Sequence, residues 1–398
     1  MEFSIHHKIL LFAFLGAVVL GAVMHKTRFC TMGAISDWVN VGDKGRLGAW
    51  FFAMAIAIGG VLMLEAAQVI ALQNGMLAMF PPYRTAQFAW LRYLVGGAMF
   101  GVGMTLAGGC ASRTLVRLGG GSVKALVVLI VTAIASYFMQ WTDVYQKVFL
   151  PWIAPTVINV ARWGIPSQEL GSIVGGLFGF TNTQPLHYLF GILLSAGLAV
   201  LVWRWHEFRE QRINAIGGAV VGLLIVVGWI LTAGPMSTAW GEHALIAAEP
   251  PIRVAAQSFT FVSPMGDSLN FALRFRSSLL SFGVVSLVGV VFGSFFYAVF
   301  IKRFHIEWFA SISDFIQHIV GAALMGVGGV LALGCTIGQG ITGVSTLALG
   351  SFLALAAMIG SSAFTMKVQY HVLDNRVFFR ALYLAAAGIR LFSRRKNV

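Results

Sequence analysis

Three cysteines, Cys30, Cys110 and Cys335, are the residues of this chain whose surroundings most invite chemistry. Two of them close copies of one pattern: residues 93–110 read YLVGGAMFGVGMTLAGGC and residues 318–335 read HIVGAALMGVGGVLALGC. The copies align without a gap at an offset of 225 residues, with ten of eighteen positions identical, Gly109/Gly334 and Cys110/Cys335 among them. A thiol is a weak donor with a soft sulfur. It is therefore a poor grip for sulfate or phosphate, which hydroxyls and arginine hold better. Weak, transient contacts suit a sulfur-bearing solute that is handed on, since conduction needs sites that both bind and release.

Each thiol sits in a segment that interrupts an apolar run: Thr27 to Gly33, Gly108 to Arg113, and Gly334 to Gly343. Non-helical backbone inside a membrane survives only when buried in protein or lining a cavity. Where a short helix resumes, its first amides favour an anion. Hydroxyls of Thr31, Ser112, Thr114, Thr336 and Thr342 stand nearby, with Gln339 in the last loop. Arg28 and Arg113 flank thiols and can guide an anion or favour a thiolate. The competing readings are cysteine as a small buried hydrophobe and glycine as a close helix-packing residue.

The elements that must position these loops are membrane helices. The chain of 398 residues is 58% apolar and only 10% charged, and its mean hydropathy is +0.83. Soluble domains carry about a quarter charged residues. Stretches long enough to span fall near 8–24, 47–72, 91–108, 122–140, 186–205, 214–232, 277–301, 317–334 and 346–365. The first lacks a small-residue cleavage site and closes on His25-Lys26-Thr27-Arg28, so it reads as a retained helix. Of 27 Lys and Arg, 19 follow spans one, three, five, seven and nine. That bias predicts an outside N-terminus and a cytoplasmic C-terminus. The net charge of +13 is then topology signal and anionic-lipid contact, with no call for nucleic acid.

Five spans separate the two copies, so equivalent helices would cross in opposite directions. The expected fold class is an all-α integral membrane protein of about nine transmembrane helices plus short re-entrant helical loops, arranged as an inverted pseudo-two-fold repeat. Residues 1–365 would form one transport domain, with repeat one at about 8–141, a linking helix at about 186–205, and repeat two at about 214–365. Residues 141–185 and 233–276 read as re-entrant or interfacial pieces, and 366–398 as a basic cytoplasmic tail with an amphipathic helix from Phe378 to Arg390. No zinc spacing, HExxH pattern or nucleotide-binding loop occurs, so neither a metal, another cofactor nor ATP hydrolysis is expected. Arg84, Arg92, Arg253, Arg274 and Arg276 fall on the outer side, as an anion-gathering funnel or as interfacial anchors. Glu65, inside span two, is either a proton-coupling group or the partner of an arginine.

The motifs RFCTMG at 28–33, LAGGCA at 106–111 and LGCTIGQG at 333–340 resemble the three cysteine signatures of the YeeE/YedE sulfur-transport family. The resemblance covers roughly residues 8–365. It implies nine membrane helices with short helical loops dipping to the centre from both sides. It also implies that Cys30, Cys110 and Cys335 pass thiosulfate, or a related sulfur or selenium species, across a bacterial inner membrane by S–H···S contacts. Some members work with a small TusA-like sulfur-carrier protein. Ser112-Arg113 departs from the small residue and glycine usual after the second cysteine, which bears on which sulfur species fits. A membrane sulfurtransferase carrying a cysteine persulfide is the alternative from another class, and a scaffold for a sulfur-carrier protein a third.

Overall fold

The structure, a computed structural model, describes residues 4–70, 72, 83–180, 182–247, 249–373 and 385. Within them nine helices are long and apolar enough to cross a membrane. They are α1 (Ile5–Thr27), α2 (Gly45–Ala66), α3 (Trp90–Leu106), α4 (Val123–Trp141), α5 (Gln184–Trp203), α6 (Arg212–Ala233), α7 (Phe282–Phe300), α8 (Ile312–Leu331) and α9 (Leu349–Leu373). Each overlaps one of the nine expected spans. The boundaries follow local chemistry: Ser4, Ser281 and Ser311 cap α1, α7 and α8 by accepting the amides of His7, Val284 and Asp314. Pro185 opens α5 where a missing amide costs nothing.

Of the expected interfacial segments, 141–185 holds short turns, the strand Ile158–Asn159, which pairs with Gln87–Phe88, and a helix at Leu170–Leu177. The segment 233–276 holds helices Met236–Ile246 and Val262–Arg274. The expected tail helix from Phe378 to Arg390 lies outside the described residues, Ala385 excepted.

The duplicated helices α3 and α8 pack on each other in opposite directions. A Cβ on Gly96 would sit 2.9 Å from the Gly328 carbonyl oxygen, and one on Gly328 would sit 2.7 Å from that of Gly96. Gly103 and Gly321 repeat the exchange at 2.6 and 2.7 Å. At such distances any side chain forces the backbones apart, so glycine here is a condition of contact. The remaining helix pairs fall into matching sets: α1 on α7 with α6 on α2, α3 on α9 with α8 on α4, and α1 on α6. Helix α5 stands apart and contacts α2 and the short helix at 170–177. Its Leu189, Ile192, Leu193 and Val200 are exposed, as a lipid-facing helix requires.

Candidate functional site

Each cysteine occupies the same local structure. A long helix ends, a left-handed residue turns the chain, and two positions later the cysteine stands at the start of a short helix. The turning residues are Arg28 (φ 52), Gly108 (φ 68) and Leu333 (φ 60). Only Gly108 is of the type that adopts this geometry freely. The thiols of Cys30 and Cys335 accept the amides of Gly33 and Gly338, each at 3.4 Å. Cys110 makes no such cap; its sulfur lies 3.3 Å from Ser112 Oγ and 3.8 Å from the sulfur of Cys30. That last distance is a thiol–thiol contact between free cysteines, far beyond a bond of about 2.05 Å. Residues eighty apart in sequence thus form one buried sulfur pair.

The pair stands at the head of a cavity of about 1220 Å³. Cys30 lines it directly, with Lys26, Arg28, Arg46, Arg113, Arg117, Lys302 and Arg303 set against Asp37, Asp43 and Glu307. The surplus of cations favours an anion in a half-enclosed, poorly screened space. Arg28 is exposed on the wall. Arg113 reaches inward with its stem against Gly109, so its guanidinium lies 3.1 Å from where a Gly33 Cβ would be. Arg46 crowds the same glycine and pairs with Asp37. Lower on the wall, Glu307 receives Arg117 at 2.9 Å and Ser122 at 3.0 Å. Burial opposes its ionisation, but Arg117, Ser122 and Lys124 outweigh it and hold the carboxyl below its usual range.

Cys335 is built into different surroundings. The loop after it winds through Gly338–Gly343 and Val344–Thr346, and every residue from 335 to 346 is buried. Gly334 gives the turn its room: a Cβ there would meet the Gln339 amide nitrogen at 3.2 Å. Gln339 donates its side-chain amide to the Ala332 carbonyl, while its Oε1 has no partner. Thr336 Oγ1, Thr260 Oγ1, Trp50 Nε1 and Ser351 Oγ are buried and unpartnered as well. Thr260 abuts Gly338, Trp50 abuts Gly340 and Ser351 abuts Gly343. Five of the eleven such atoms among the described residues therefore belong to this loop or touch it. Each costs on the order of 1–3 kcal/mol when left unmet, so spare hydrogen-bonding capacity is concentrated around this loop. Tyr83 is buried nearby, and its phenol is pushed up by that burial and by its neighbours Cys335 and Tyr93.

The structure thus brings Cys30, Cys110, Arg28, Arg113 and Gly109 together, and sets Cys335, Gly334, Thr336 and Gln339 in a second cluster. Sequence reasoning missed Arg46, Trp50 and Thr260. A lone tryptophan in an apolar span and a threonine between phenylalanines gave no signal. The proposed funnel is altered. Arg84 is 1% exposed and neutralised by Glu65, so it gathers no anions from solvent. Arg92 spends its guanidinium on the carbonyls of Leu331 and Val330, and Arg253 pairs with Asp267. Arg274 and Arg276 remain exposed. For Glu65 the arginine partner, one of the two alternatives, is present at 2.6 Å. Among the described residues no cluster of potential ligands fits a metal ion.

Comparison with known proteins places this architecture. The profile of the sulphur-transport family matches residues 26–364, which include all three cysteine loops. The chain belongs to that family. It is 26% identical over 333 residues to the thiosulfate transporter TsuA of Escherichia coli (strain K12), covering 81% of this chain and 84% of that protein. It is also 26% identical over 339 residues to the thiosulfate transporter TsuA of Spirochaeta thermophila, covering 82% and 88%. The family match spans both clusters, the paired thiols and the Cys335 loop.

Proposed function

We propose that this protein imports thiosulfate, or a closely related inorganic sulfur anion, across the bacterial inner membrane. Its N-terminus is then periplasmic and its C-terminus cytoplasmic. The solute enters at the Cys335 loop, where Thr336 and Gln339 meet its oxygens and the thiol meets its outer sulfur. It passes to Cys110 and leaves by Cys30 into the cationic cavity, with Arg113 and Arg28 drawing the charge on toward the cytoplasm. Gly109 and Gly334 leave room beside the turns that place the thiols. The observation that carries this reading is the Cys30–Cys110 contact of 3.8 Å at the head of that cavity. The two TsuA relatives, both thiosulfate transporters, support it.

The transport unit is taken to be residues 1–365, an inverted repeat of 8–141 and 214–365 joined by 186–205, with 366–398 as a tail. Reciprocal glycine contacts and matched helix pairs support that arrangement. The cavity mouth is where a TusA-like carrier would collect the solute. The decisive experiment is labelled thiosulfate flux into liposomes holding only this protein, with sulfate, sulfite and selenite as competitors. Serine at Cys110 is expected to cut flux about tenfold, a loss of about 1.4 kcal/mol. Normal flux from both Cys110→Ser and Cys335→Ser proteins would refute the relay.

A sulfurtransferase reading draws on one observation, the Arg113 guanidinium beside Cys30 and Cys110. A thiolate would attack the outer sulfur of thiosulfate, forming a cysteine persulfide while the S–S bond breaks and sulfite leaves. Intact mass after thiosulfate treatment decides: a cysteine heavier by one sulfur supports this step, and unmodified thiols support conduction.

A further inference from the structure

The Cys335 loop is entered and left through left-handed residues that are not glycine, Leu333 (φ 60) and Leu347 (φ 59). Each such residue costs roughly 1–2 kcal/mol. Strain of this kind persists only where the surroundings over-determine it. At the entrance, Arg92 donates Nε to the Leu331 carbonyl at 2.8 Å and a terminal nitrogen to that of Val330 at 3.2 Å. At the exit, Arg84 donates Nε to the Thr346 carbonyl at 2.9 Å. Backbone bonds from Leu170 to Leu347 and from Leu349 to Gln168 fasten the same turn.

Arg84 is itself held from three directions. Its terminal nitrogens grip both oxygens of Glu65 at 2.6 and 3.2 Å, and Glu169 stands 4.0 Å from its Nε. His187 ties the two carboxylates together, reaching Glu65 at 2.9 Å and also bonding Glu169. Helix α2 and the 167–170 segment thus meet one guanidinium that is 1% exposed, and His187 of helix α5 braces both of their carboxylates. Buried ion clusters are poor stabilisers, because desolvation consumes most of the Coulomb gain. What such a cluster supplies is a fixed place. Guanidinium geometry serves this purpose, since its planar fork fixes the directions of its donors, whereas a lysine ammonium is a point charge on a flexible stem.

We propose that Arg84, locked by Glu65, Glu169 and His187, is a positioning residue. Together with Arg92 it brackets the Cys335 loop and sets how the thiol and its unpartnered neighbours face the solute. The proposal rests on reading Cys335 as the first solute contact, and its test separates the two ideas. In membrane vesicles with the full chain, alkylation of each cysteine by N-ethylmaleimide is followed by peptide mass spectrometry. Thiosulfate uptake is measured in parallel for Arg84→Lys and Glu169→Gln. The expected result is a Cys335 alkylation rate at least tenfold above wild type, a Cys30 rate unchanged, and a KM raised about tenfold at nearly constant Vmax. Cys335 alkylation at the wild-type rate overturns the bracket, and so does equal acceleration at Cys30, which marks general loosening. Should the Arg84 variant not accumulate, Arg92→Lys releases the other end of the loop and is judged by the same rates. Normal uptake by Cys335→Ser removes the underlying reading and the KM arm, while the alkylation arm still decides the bracket.

Discussion

Cys30 and Cys110 face each other across 3.8 Å above a cavity lined by seven lysines and arginines. Cys335 lies among hydroxyls, an indole and an amide, and the two arginines that flank its loop are spent, Arg84 on carboxylates and Arg92 on backbone carbonyls. The same local device, a left-handed turn followed by a capping thiol, serves both clusters. What differs is the dielectric and charge of the surroundings. A site of neutral donors can bind an anion and release it, because no full opposite charge traps it. A cationic chamber beyond it lowers the energy of the next position. Under the proposed function, that gradient of donor type gives the solute a direction without any change in the thiol itself.

The comparison presumes that one helix pair sets both loops, and the strongest way to break it is to separate that pair. Gly321→Leu places a side chain where even a Cβ would lie 2.7 Å from the Gly103 carbonyl oxygen. Overpacking of this kind costs roughly 1–3 kcal/mol or more. The variant is expected to lose most of its folded, monodisperse fraction in detergent size-exclusion chromatography. Survival at wild-type yield would mean that α3 and α8 do not depend on the close approach.

Next in size is the contrast between thiols. Cys110→Ser is expected to lower Vmax about tenfold with little change in KM, whereas Cys335→Ser raises KM severalfold. Identical kinetic signatures would erase the distinction between the clusters. Thr336→Val sharpens it differently. Removing an unpartnered hydroxyl relieves a penalty of about 1 kcal/mol, so the melting temperature should rise by about one degree while KM rises two- to threefold. A fall in melting temperature would show that the hydroxyl is satisfied, and the case for a waiting polar site would fail.

The smallest effect concerns the cavity wall. The Glu307 carboxyl is held below its ordinary range, so the contact it supplies is complete above that range and fades as pH falls through its lowered value. Partial exposure keeps its worth at about 0–1 kcal/mol. Glu307→Gln at neutral pH should reproduce the acid form, shifting the melting temperature by no more than about one degree and leaving KM unchanged. A change in KM would move this wall into the binding site.

Much of the fold was open to inspection in one dimension. Nine apolar runs of spanning length and the breaks at Gly109-Cys110 and Gly334-Cys335 are local properties, because lipid demands internally satisfied helices and glycine marks where they stop. The first thiol loop was harder to see, since its turn falls on Arg28, a residue that seldom adopts that conformation. Arg84 and Arg92 looked like solvent-facing cations because charge near the end of a span reads as surface. Their carbonyl partners lie 262 and 239 positions away, respectively, and leave no periodic trace.

The amino-acid order by itself determined where helices form, where they break, and that sulfur stands at each break. Only the tertiary structure decided that Cys110 meets Cys30 instead of Cys335, and that one cluster is cationic while the other is neutral. The reason is physical. Spans and breaks follow from the free energy of single segments in lipid, but the company a buried side chain keeps depends on which helices pack together.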